Sequence, residues 1–225
     1  MQRPFMFAIL ITVLIATALF TAGAFADASV GVKKGDWIEY QVTITGNPPQ
    51  DHNITWARMD ITDVQGEVVS LDIQTRFSNG TLLPEKVTLN LATGVLGDDF
   101  IVPANLNRRD KFYDVYQGNV TITSVEQRTV AGAERTVVSG ITNQTAYYWD
   151  RQTGILVAAT SSFPEYTMFT KASGTNIWQP QTLGLSSTVF YALTIAVIAA
   201  LVVIVAVLVY VRKRSHNFGF STTSG

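Results

Sequence analysis

Few side chains in this sequence are of a kind to do chemistry, and their spacing limits what that chemistry would be. His52 lies between Asp51 and Asn53, after Pro48-Pro49. A His–Asp pair can act as a general base, but neighbours on a strand or loop point apart, and no serine sits in a nucleophile-elbow context. His52 is therefore expected as an exposed loop residue. Asp98 and Asp99 follow Gly97 and offer carboxylates to Ca²⁺, which takes about six to eight oxygen ligands. No spaced acidic series accompanies them, so they read as a solvated turn. The chain has no cysteine, which removes disulfides, thiolate metal sites and cysteine nucleophiles together. The expectation is a protein that is not an enzyme, with no catalytic residue, no metal and no cofactor.

Two other sets of residues can be modified or can pack. Asn53, Asn79, Asn119 and Asn143 each begin an Asn-x-Thr sequon, the acceptor for N-linked glycans on exported domains. Ala192, Ala196 and Ala200 recur at helical spacing and form a small-residue stripe that would let two membrane helices approach closely, giving a weak homodimer.

The ends of the chain must deliver and hold these groups. Residues 1–26 carry the parts of a secretory signal: Arg3, an apolar run from Phe5 to Phe20, and small residues ending in Ala24-Phe25-Ala26. Sixteen apolar residues span about 24 Å, short of a hydrocarbon core of about 30 Å, so cleavage is expected between Ala26 and Asp27. From Val189 to Val211 there is no charged residue, and most side chains are Val, Ile, Leu or Phe; their insertion is favoured by about 5 to 9 kcal/mol. This is the expected transmembrane helix. Arg212-Lys213-Arg214 follow it at once, and retention of basic residues on the cytoplasmic side puts the tail, 212–225, inside and the preceding domain outside.

Between 27 and 171 acids outnumber bases by five, a balance unsuited to nucleic acid. A domain of about 150 residues without disulfides can still bury roughly two thirds of its unfolded surface and stand on its core alone.

That core is written in period two. Ile38, Tyr40, Val42 and Ile44 alternate with Glu39, Gln41, Thr43 and Thr45; Val69, Leu71, Ile73 and Phe77 repeat the pattern, as do Val87, Leu89 and Leu91. Turn signals separate the runs at Gln65-Gly66, Asn79-Gly80, Thr93-Gly94, Gly118-Asn119, Ser139-Gly140 and Thr153-Gly154. Asn79-Gly80 predicts a two-residue type I′ hairpin. Nine or ten strands are expected between Asp36 and Lys171, closing as an antiparallel β-sandwich or partly open barrel, an all-β ectodomain at 27–171. Residues 172–188, uncharged and containing Gly, Pro and Ser, predict a short stalk.

Gly31-Val32-Lys33-Lys34-Gly35-Asp36-Trp37-Ile38-Glu39-Tyr40 and Ala146-Tyr147-Tyr148-Trp149-Asp150-Arg151-Gln152-Thr153-Gly154-Ile155-Leu156 resemble segments of uncharacterised archaeal exported, membrane-anchored surface proteins. The second segment is also distantly similar to hairpins of half-barrel lipoprotein carriers. The resemblance implies a fold and a surface setting, not an activity. The expected function is that of a single-pass cell-membrane protein whose ectodomain binds or scaffolds an envelope protein or glycan; the alternative is a carrier or sensor of an apolar, lipid-like ligand in a half-open barrel. The absence of a lid helix between Asp36 and Lys171 favours a filled interior.

Overall fold

The computed structural model describes residues 29–217, apart from 98 and 183. The expected signal segment, with its Ala26–Asp27 cleavage point, lies outside the described residues, as does the tail from 218.

Alternating segments become strands where they were expected: β1 (Trp37–Gly46), β2 (Ile54–Gln65), β3 (Val68–Phe77) and β4 (Leu82–Asn90). Two short strands follow, β5 (Lys111–Asp114) and β6 (Gly118–Thr121). Then come β7 (Ser124–Val130), β8 (Ala133–Thr142), β9 (Thr145–Asp150), β10 (Leu156–Ser162) and β11 (Tyr166–Thr175). A two-residue pair, β12 (Gln181–Thr182) and β13 (Leu185–Ser186), leads into helix α1 (Ser187–Asn217). Two strands at the short end of the range, β5 and β6, carry the number beyond the nine or ten expected.

Nine strands form one antiparallel sheet in the order β4-β3-β2-β1-β11-β10-β9-β8-β7. Two meanders are thus joined where the first and last long strands pair, Ile38 opposite Thr175 and Gly46 opposite Tyr166. The sheet does not close, so β4 and β7 are its edges. On β4, residues 82–86 are exposed, and Pro84 within them removes a donor from the free edge, which discourages pairing with another chain.

The chain between the two edges, residues 91–123, crosses the inner face of the sheet. Leu91, Leu96, Ile101, Val102, Phe112, Val120 and Ile122 from this segment are buried in one cluster with Ile38, Tyr40, Met59, Ile61, Val69, Leu71 and Leu89 from the sheet. Each such side chain contributes about 1.5 to 3 kcal/mol on burial. The Tyr40 hydroxyl, deep in this cluster, donates to the Leu156 carbonyl at 2.9 Å, and burial pushes its pKa up.

The sheet also buries part of its other face. Along β7, Ser124, Glu126 and Arg128 are half-buried and Val130 is buried, while Val125, Gln127 and Thr129 are exposed. On β8, Val137 and Val138 are both buried although they point to opposite faces. The residues that share a cleft with Arg128–Val130 are Tyr148 of β9 and residues of β10 and β11, so the sheet curls until β7 stands over those strands. Trp178 seals this second contact, with its indole N–H donating to the Val130 carbonyl at 3.0 Å.

Part of the expected stalk therefore belongs to the β domain. β11 runs to Thr175, Trp178 is buried, and the Gln181 N–H donates to the Gly132 carbonyl at 2.7 Å. An uncharged Gly/Pro/Ser stretch reads as a linker, but one tryptophan is enough apolar surface to hold it down.

The Asn79-Gly80 turn differs from the type I′ expectation. Only Gly80 has positive φ, at 86°. The Phe77 N–H donates to the Thr81 carbonyl and the Gly80 N–H to the Phe77 carbonyl, which makes a three-residue loop with glycine in the left-handed position. Asn79 Oδ1 accepts from the Thr81 N–H at 2.9 Å, a side-chain turn that holds Asn79 out of the left-handed region.

Helix α1 contains one stretch, Thr188–Tyr210, long and apolar enough to cross a membrane, the only such helix among the described residues. Its hydrophobic side chains are exposed from Tyr191 to Tyr210, as a lipid-facing helix requires.

Candidate functional site

Strand direction divides the domain into two ends. β11 runs toward α1, so the β7–β8 and β9–β10 turns lie at the helix end with Gly132 and Thr153. The β1–β2, β3–β4, β8–β9 and β10–β11 turns lie at the other. Asn53, Asn79 and Asn143 fall on turns at the end away from the helix. Asn79 and Asn143 are exposed, whereas Asn53 is half-buried with its carbonyl accepting from the Ser78 N–H. Asn119 is exposed on β6, opposite Tyr113. Ala192, Ala196 and Ala200 are exposed on α1.

His52 is not the free loop residue expected. It ends a short 3₁₀ turn, Gln50–His52, and its Nδ1 shares a hydrogen bond with the Tyr166 hydroxyl. Phe163 stacks on Tyr166 at 4.4 Å between centroids, and His52 lies 5.8 Å from Phe163. Desolvation and the nearby Asp51 carboxylate push the Tyr166 phenol up. With no nucleophile in the group, it pins the β1–β2 loop to the β10–β11 turn. A separation of 114 residues between His52 and Tyr166 hid the pair from sequence reasoning.

At the helix end, Asp150 is fully buried and fully engaged. Arg135 Nε and Nη2 donate to it at 2.8 and 3.1 Å, and the Thr153 N–H and hydroxyl donate at 2.9 and 2.8 Å. Arg135 Nη2 also reaches Gln152 Oε1 at 3.0 Å, and the guanidinium lies 4.8 Å from the Trp178 ring centroid. Four hydrogen bonds, two of them from the Arg135 guanidinium, hold the carboxylate and make it a clamp for the β9–β10 turn. Polar clefts of about 400 and 430 Å³ open on either side of Arg135.

A different surface is open and mixed in character. Between β7 and the outer face of β10 and β11 runs a groove of about 500 Å³, lined by Arg128, Tyr148, Ala158, Thr160, Phe169 and Lys171 among others. Arg128 stacks 3.8 Å over the Tyr148 ring and pairs with Glu126 at 2.6 Å. Phe169 is 44% exposed, and Lys171, next but one along β11, is exposed beside it. The volume falls in the range of ligand sites, roughly 300 to 1,000 Å³. Sequence reasoning missed the groove, because Arg128 and Phe169 meet only through the curl of the sheet.

A buried acidic corner lies under Trp149. The Trp149 indole N–H donates to the Asp99 carbonyl at 2.7 Å, and Asp99 and Asp114 are both buried. Asp99 is thus no part of a solvated turn; Asp98 lies outside the described residues. No group of three or more His, Cys, Asp or Glu side chains with metal-holding geometry occurs among the described residues.

No protein-family model and no curated protein matches the chain. Among solved structures it is similar to the siderocalin Ex-FABP, a protein described as functioning through dual ligand specificities, at 10% identity and a TM-score of 0.24, over 62% of this chain and 70% of that one. A likeness at that level carries nothing about ligand or activity, and what the chain is follows from its own geometry: an open antiparallel β domain followed by one apolar helix.

Proposed function

We propose that this is a single-pass surface protein whose β domain docks an envelope component along the outer groove between β7 and β10–β11. The observation that carries the reading is the occupied inner face. Where a carrier would need a concave apolar surface, the chain's own 91–123 segment is packed, and recognition is left to the outside. The outer groove then offers an aromatic face at Phe169, a cation at Lys171 and hydroxyls such as Thr160, a combination suited to sugar rings or a partner chain carrying negative charge.

In this proposal the Thr188–Tyr210 stretch anchors the chain, and Arg212-Lys213-Arg214 keep the tail inside. Glycans at Asn79 and Asn143 would then stand on the end away from the membrane, clear of the groove.

Replacing Phe169 with alanine and Lys171 with glutamate together is expected to lower co-sedimentation of the detergent-solubilised protein with envelope fractions of its own host about tenfold or more. Both side chains are exposed, so the melting temperature should stay within a few degrees of the parent. Unchanged sedimentation would overturn the assignment of the groove.

A further inference from the structure

Every carboxylate on β1, β2 and β3 is already paired. Glu39 and Asp60 both meet Arg58, at 2.9 and 2.8 Å, Asp63 lies 4.0 Å from Lys34, and Asp72 lies 3.5 Å from Lys86. β10 and β11 carry no acid at all. Arg76 on β3 and Lys171 on β11 are exposed and enter no ion pair among the described residues. A domain whose acids outnumber its bases by five thus keeps two unneutralised cations on the outer face of its sheet.

Strand register sets these cations in one row. Lys171 lies opposite Gln41, Gln41 opposite Trp56, and Trp56 opposite Arg76; residues directly opposite share a face. In the other direction Lys171 lies opposite Ala158, and Ala158 opposite Tyr148. The row therefore crosses the strands from β9 to β3, a contour of about 24 Å at roughly 4.8 Å per strand. It is continuous with the outer groove, since a second cleft of about 330 Å³ shares Thr129 and Lys171 with the groove and reaches Gln41. At each end a guanidinium sits over an aromatic ring, Arg128 at 3.8 Å from the Tyr148 centroid and Arg76 at 4.8 Å from that of Trp56. Stacking of this kind preorganises the planar donor fork for carboxylate or sulfate oxygens. Glu126 already pairs with Arg128, so the open charge lies at Lys171 and Arg76.

The direction of the row selects the occupant. A peptide gains most by lying parallel to a free edge strand, where its backbone completes the ladder. A polymer lying across the strands has no ladder to join and must be held through its own charges and hydroxyls. Acid groups recurring along a sugar chain meet Lys171 and Arg76, and Gln41, exposed between them, can bond hydroxyls as donor and acceptor. We propose that the row from Tyr148 to Arg76 binds an acidic polysaccharide. This rests on the reading of the groove as a docking site and names its occupant.

Affinity electrophoresis of the full chain in non-ionic detergent, through gels holding polygalacturonate, dextran sulfate, neutral dextran or polyglutamate, tests this. The expected result is retardation by at least one of the two acidic polysaccharides, weakened by added salt, and none by dextran or polyglutamate. Arg76→Gln is expected to raise the polysaccharide concentration for half-retardation roughly three- to fivefold, the effect of losing one screened charge contact, and Arg76→Lys to raise it less. Arg108→Gln, an equal loss of charge at an exposed position of the inner segment, should change nothing. No retardation by either acidic polysaccharide, equal retardation by dextran or polyglutamate, or equal effects of Arg76→Gln and Arg108→Gln would each overturn the proposal. Envelope binding that depends on Phe169 and Lys171 but ignores Arg76 would leave the groove standing and remove this extension alone.

Discussion

Replacing Trp149 with alanine is expected to destabilise the β domain by about 3 to 5 kcal/mol, among the larger effects a single truncation produces. The side chain is fully buried and meets three different parts of the chain. Phe112, on the inner segment, packs edge-on at 5.5 Å, and Tyr147, on its own strand, stacks at 5.3 Å. The indole N–H is bonded to the Asp99 carbonyl. Truncation removes the apolar contacts and leaves a cavity between β9 and the segment that fills the inner face. Denaturant unfolding of the purified chain, followed by far-UV circular dichroism, measures the loss. A change below about 1 kcal/mol would mean that the inner segment is not packed against β9 as described.

The second large effect is expected at the Arg135–Asp150 clamp. Removing one partner of a buried ion pair costs about 3 to 5 kcal/mol, mostly because the other charge is stranded. The Asp150 side chain is 1% exposed and that of Arg135 18%, so Arg135→Ala strands the more deeply buried charge. Loss near the lower end of that range is expected, since the Thr153 donors remain. Adding Asp150→Asn in the Arg135→Ala background should recover about 1 kcal/mol or more, because the neutral side chain still accepts from Thr153 without a stranded charge. Unfolding midpoints of the parent and the two variants decide this, and a further loss in the double variant would contradict the account.

Much of the fold was legible in period two. β1 and β3 each bury one face and leave one wet, so alternation marked them within a residue or two of their ends; in β4 it marked only the half from Lys86 on, because residues 82–86 are exposed on both faces. The same logic missed what lies across the sheet. Residues 91–123 pack against a sheet face as irregular chain, and Leu91, Leu96, Ile101 and Phe112 recur at no period a pattern can detect. β8 was blurred for a related reason, since burial on both faces erases alternation.

The candidate sites were less legible because they are made by long-range contact. Asp99 and Asp114 stand fifteen positions apart and share a corner only once the inner segment has folded under Trp149. Thr93-Gly94 and Thr153-Gly154 were read correctly as turns, but the need for glycine at the second came from elsewhere. Gly154 has φ of 73°, and a Cβ there would lie 2.0 Å from the Val102 carbonyl oxygen, on the very segment that sequence alone left unplaced.

The central claim is that the interior is filled by the protein's own chain, so that function is exerted at the surface. Native mass spectrometry of the full chain, extracted from the membranes of its own host and released from detergent in the gas phase, tests this most directly. A filled interior predicts the mass of the polypeptide with any glycans, and no stoichiometric apolar adduct on the β domain. A lipid or other apolar molecule bound one to one, retained on the β domain after limited proteolysis removes α1 and lost on unfolding, would contradict it.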